Sequence, residues 1–145
     1  MIIDAFLKIS SAQSLTATAA STDHIDFGAD REIGAGEPMA LVVSVPGTVT
    51  NGSVTALTIA WQADDNSGFS SARSVASTDA IPIAEVVTGA RWVIPLPADY
   101  RNERYGRANY TFTGSGGTIP VDAFVLPLNL VDKLAYYNDA VTITG

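Results

Sequence analysis

The chain has 145 residues, no cysteine, a net charge of −7 and a sequence pI near 4.4. That length suits one domain with one core. The missing cysteines exclude disulfide frameworks, thiolate catalysis and Cys-ligated zinc, and the acidity with only Lys8 and Lys133 as lysines argues against nucleic-acid binding. Charged residues make up 16% of the chain, against about 25% in an average domain, so the surface carries little charge. No apolar run is long enough to span a bilayer as a helix, so no membrane partner is expected. The start, Met1-Ile2-Ile3-Asp4-Ala5-Phe6-Leu7-Lys8, lacks the basic opening and long apolar core of a signal peptide.

In chain order, Ile2, Ile3, Phe6 and Leu7 form an apolar patch, followed from Ser10 to Ser21 by Ser, Thr and Ala with Leu15 as the main large side chain. Two readings stand for residues 1–20. One is a first strand packed on its own domain; the other is an arm that reaches a neighbouring subunit by strand addition. His24 to Gly28 reads as a short strand, and 29–37 as a loop rich in glycine and charge. Pro38 opens a strand whose Met39, Leu41, Val43 and Val45 face one way.

The clearest strand runs from Val54 to Ala63. Leu57, Ile59 and Trp61 alternate with Ala56, Thr58 and Gln62. It stops at Asp64-Asp65-Asn66-Ser67-Gly68, short polar side chains that bond their own backbone and then a glycine. This strand is expected to pair with the Met39–Val45 strand as a hairpin, with a connection of about eight residues.

Further strands are expected within Phe69–Ser77 (an edge), at Ile81–Ile83, from Ala90 to Leu96, from Ala108 to Thr113, and from Val121 to Leu126. The last is apolar on both faces, which requires a central position or a covering partner. Residues 128–145 form a tail in which Asp132 is placed to cap a short helical stretch through Tyr137, with a last strand or second arm at Val141–Thr144. About eight short strands separated by Gly, Pro and Asn turns predict an all-β antiparallel sandwich or barrel, one domain over 1–145, with 1–20 a possible arm and 129–145 a possible tail.

Catalytic patterns are sparse. His24 is the sole histidine, and no strand-turn-helix elbow presents a serine near it. Asp64, Asn66 and Gly68 echo the start of a calcium loop but lack its later glutamate, so turn chemistry is preferred. Asp64, Asp99 and Glu103 are carboxylates whose separation a sequence does not set. Trp61, Trp92, Tyr100, Tyr105 and Tyr110 could form a sugar-stacking platform, but the two tryptophans sit at alternating apolar positions and read as core. Arg101, Arg104 and Arg107 surround a tyrosine; they are either a solvated loop paired with Asp99 and Glu103 or a contact for an acidic protein. No enzyme activity, cofactor or metal is expected.

Several stretches together carry a family resemblance. They are Met1–Thr18; Arg31-Glu32-Ile33-Gly34-Ala35-Gly36-Glu37-Pro38-Met39 with the strand after it; Gln62-Ala63-Asp64-Asp65 with Phe69; Ile81-Pro82; Arg104-Tyr105-Gly106-Arg107-Ala108-Asn109-Tyr110; Thr113-Gly114; and Ala123-Phe124. Over about residues 1–128 the chain resembles the capsid cement, or decoration, proteins of tailed bacteriophages, of the small jelly-roll type found on Bordetella-phage-like podoviruses. The resemblance implies a jelly-roll sandwich on the outer capsid surface of a virion, made in the host bacterial cytoplasm. The major capsid protein would be its partner and a second copy its mate, a dimer being favoured over a trimer. Ile3, Phe6 and Leu7 of the arm, with Arg101, Arg104 and Arg107, are then the expected partner contacts. The alternative is a carbohydrate-binding β-sandwich module on a virion or secreted protein. On the arm reading, replacing Phe6 and Leu7 together by Ser leaves the melting temperature unchanged and weakens assembly; unfolding of the isolated variant would instead place both side chains in the core.

Overall fold

The computed structural model describes residues 8–28, 38–97 and 103–128. The described residues form ten strands: β1 (Lys8–Leu15), β2 (Ala19–Ala20), β3 (Ile25–Asp26), β4 (Met39–Ser44), β5 (Ala56–Asp64), β6 (Arg73–Ser77), β7 (Ile81–Pro82), β8 (Arg91–Leu96), β9 (Tyr105–Thr113) and β10 (Ile119–Pro127). A single turn of 3-10 helix covers Ile83–Glu85.

Two antiparallel sheets face each other. One has four strands in the order β1-β10-β4-β8. The other has six; its path is β2-β9-β5-β6, with β3 also paired to β9 and β7 to β5. Chain order and strand order together give two interlocked Greek keys, the jelly-roll arrangement. β1 therefore belongs to the body of the domain, paired with β10 from Lys8↔Phe124 to Leu15↔Ile119. The described part of the possible arm, 8–20, is packed strand; residues 1–7, and with them Ile3, Phe6 and Leu7, lie outside the described residues.

One expectation fails. β4 and β5 do not form a hairpin: β4 pairs with β10 and β8, whereas β5 pairs with β6, β7 and β9. Each strand carries an apolar face, and the chain buries both by crossing between sheets, so that Leu41 and Val43 meet Leu57, Ile59 and Trp61 in one core. The hairpin partner of β5 is β6, across the Asp64–Gly68 turn.

The core lies between the sheets, and Trp61 and Tyr110 are its largest fully buried side chains. Two close fits fix the packing, the first between the layers. The Tyr110 hydroxyl, on the six-stranded sheet, shares a buried hydrogen bond of 2.9 Å with Ser10 Oγ on the four-stranded sheet. Burial pushes the Tyr110 phenol up to about 12, with Ser10 acting in the opposite direction. The second fit is between neighbours on one sheet. Trp61 of β5 lies against Gly106 of β9, where an added Cβ would come within 2.1 Å of Trp61 Cζ2.

Substituting Gly106→Ala is therefore expected to cost about 1–3 kcal/mol by overpacking. A lower midpoint in urea unfolding is the readout. Adding Trp61→Phe should recover part of the loss, because the clashing edge of the indole is gone.

Candidate partner-binding surface

The outer face of the six-stranded sheet is built by alternation. On β9, Gly106, Ala108, Tyr110 and Phe112 point into the core, which turns Tyr105, Arg107 and Asn109 outward. Opposite them on β5, Ala63 pairs with Gly106 and Gln62 with Arg107. The Arg107 Nε donates to Gln62 Oε1 at 3.0 Å, and its guanidinium carbon sits 4.3 Å from the centre of the Phe69 ring. Burial lowers the Arg107 pKa from its ordinary value while the nearby Asp64 carboxylate acts the other way. A guanidinium remains charged in either case.

Phe69 is held in place by the turn that ends β5. Asp64, 5% exposed, accepts the backbone N–H groups of Asn66 (3.1 Å, Oδ1) and Ser71 (2.7 Å, Oδ2). Asn66 Oδ1 accepts from Gly68 N at 2.7 Å, and Asn66 O from Phe69 N at 2.9 Å. This is turn chemistry: both carboxylate oxygens of Asp64 are occupied by backbone. It leaves Phe69 with a φ of 53°, a left-handed conformation uncommon for a bulky residue. The strain is offset by what the ring then touches, the Arg107 guanidinium on one side and the edge of His24, at 5.6 Å between centroids. His24 also makes an edge contact with Tyr105.

Two ion pairs border this surface. Arg104 grips Asp26 of β3 with two hydrogen bonds, Nε–Oδ1 2.7 Å and Nη2–Oδ2 2.9 Å, and stacks on Tyr105. Arg73 of β6 pairs with Glu103. Among the described residues the arginines part ways. Arg107 is a strand residue, Arg104 pairs with Asp26, and Glu103 is taken by Arg73. Arg101, Asp99 and Tyr100 lie outside the described residues. His24, Gln62 and Phe69 were not legible as members of one surface, because they come from three segments far apart in sequence. Among the other described aromatics, Trp61 and Tyr110 are buried, and Trp92 packs against the core from β8. At one end of the sandwich a cleft of about 330 Å³ is lined by Thr48, Val49, Ile83, Val86 and Val87, with no charged side chain.

With this geometry established, the family can be given. A model of the Bbp16 family, a Bordetella-phage protein family, matches residues 9–125. The chain belongs to the Bbp16 family. A comparison with curated proteins returns no match. Among solved structures, the chain is similar to an endo-1,4-β-D-xylanase 10B of Clostridium thermocellum, in its CBM22-1–GH10 modules complexed with xylohexaose. The identity is 14% and the TM-score 0.37, over 78% of this chain and 21% of that chain.

The Arg104 pair holds the Asp26 carboxyl down at about 2 from its ordinary 3.8, with the Gly28 backbone N–H as a further cause. The folded state therefore binds this proton more weakly than the unfolded chain. The contribution is present above about 4 and is lost as the pH falls toward 2. Following the Asp26 carboxyl carbon by NMR should show this low titration in the native Bbp16-family chain and a return toward 3.8 in Arg104→Ala.

Proposed function

We propose that the chain is a capsid cement protein, a structural component of a phage virion that binds the outside of the shell and bridges neighbouring major capsid proteins. The observation that carries this reading is the Bbp16-family match over nearly the whole described body, on a jelly-roll scaffold. The chemistry of the outward face supports it. A lattice clamp needs a rigid body and contacts that cost little ordering on binding. Arg107 meets that need: its guanidinium carbon already sits 4.3 Å from the centre of the Phe69 ring and its Nε is tied to Gln62, so an acidic surface of a capsid subunit would not have to immobilise it. Arg104 is less suited to the role, since its Nε and Nη2 already serve Asp26. Ile3, Phe6, Leu7 and Arg101 remain contacts proposed from sequence. Repetition of a modest contact over every copy on a shell multiplies its effect; a dimer on a two-fold or a trimer on a three-fold would match the axes of a shell, and the dimer is the form the family resemblance favours. A sugar-binding role has weaker support, with Trp61 and Tyr110 buried.

The test is co-sedimentation of the purified protein with expanded capsids that lack it. Saturation at a fixed ratio to the major capsid protein is expected. Arg107→Glu should weaken binding at least about tenfold at low salt, the scale of losing one charge-assisted contact, with a smaller difference at high salt. Arg107→Lys should restore only part, because an ammonium does not keep both the Phe69 ring contact and the Gln62 bond of the guanidinium. Wild-type protein that stays in the supernatant at low and moderate salt would overturn the reading.

A further inference from the structure

One end of the four-stranded sheet is buried on the side that faces away from the core. Ala40 and Val42 of β4 are fully buried, as are nearly all of Phe124 and Leu126 of β10, and they form a cluster separate from the main core. Val42 pairs with Phe124 and Ala40 with Leu126, so the patch occupies one end of the sheet. The same face ends in polar groups at the other end, where Ser44 pairs with Asp122 and Arg91. Among the described residues, Leu128 is the only apolar side chain outside the patch that packs against it.

We propose that the C-terminal segment 129–145 of the same chain covers this patch as a third layer. Three observations direct that segment onto it. β10 ends at Pro127 beside the patch, the backbone turns helical at Leu128, and the Leu128 side chain already rests on the cluster. Continued at 100° per residue from Leu128, Ala135, Val131, Leu134 and Leu130 fill one arc of about 160° that has Leu128 at its edge, and Asn129, Asp132 and Lys133 fall in the remaining arc. A helix about 10 Å across spans two strands set ~4.8 Å apart, which matches the width of β4 plus β10. Two other neighbouring stretches fit less well: 29–37 offers one large apolar side chain, Ile33, and 98–102 offers Tyr100; residues 1–7, with Ile2, Ile3, Phe6 and Leu7 leading into β1 where Lys8 pairs with Phe124, are the competing cover that the test separates. This layer does not depend on the capsid reading.

The test uses the cysteine-free background. In the full chain, Val93→Cys, exposed on the outer face beside Val42, is combined with Tyr137→Cys and treated with a short bismaleimide. Cross-linking within single chains is expected. In parallel, ending the chain after Leu128 should lower Tm by more than about 5 °C and raise the fluorescence of an apolar-surface dye. Cross-linked dimers would assign the patch to a second copy's tail and overturn the proposal. So would no cross-link together with unchanged Tm and dye binding, which would assign the cover to residues 1–7. If the truncated chain does not fold, the cross-link alone decides.

Discussion

The register of β5 against β9 is the constraint on which the functional surface depends. Trp61 needs room on its inner side, and only a residue without a Cβ gives it at position 106. With Gly106 turned inward beside Ala63, every other residue of β9 follows: Ala108, Tyr110 and Phe112 go in, Tyr105 and Arg107 come out. A slip of one residue would reverse both sets and place a guanidinium in the core. Packing inside the sandwich thereby decides which charge is shown outside it.

The outward charge is then made rigid by a second device. The Asp64 carboxylate gathers the turn after β5, and the turn forces Phe69 into a left-handed backbone that aims its ring under Arg107. An arginine on an exposed strand ordinarily samples many rotamers. Here the ring contact and the Gln62 bond remove most of them before any partner arrives. In a chain of net charge −7, a fixed cation flanked by pairs that neutralise Arg104 and Arg73 is a local and directional signal.

The two sheets differ in how readily they can be read. β5 and β9 have one buried face and one that is partly exposed and more polar, so their alternation is plain in sequence and their inward residues follow from it. β10 and β4 are buried on both faces, and a run such as Val121–Leu126 has no phase to read. Its central place between β1 and β4 had been one of two open possibilities. The expected β4–β5 hairpin does not form, and a related cause hides this in the sequence. Two amphipathic strands joined by a short connection look alike whether they pair side by side or face each other across a core.

Local patterning by itself determined that the chain is all-β, where most strands begin and end, that Trp61 belongs to the core, and that Asp64-Asp65-Asn66-Ser67-Gly68 is a turn. These follow from forces acting over a few residues: alternation of side chains along a strand, and short polar groups bonding their own backbone. The tertiary structure alone decided strand order, the crossing of β4 and β5 to opposite sheets, and the meeting of His24, Gln62, Phe69 and Arg107. Those depend on which apolar faces bury one another, a choice made by the whole chain at once, and the stretch around each residue carries no record of it.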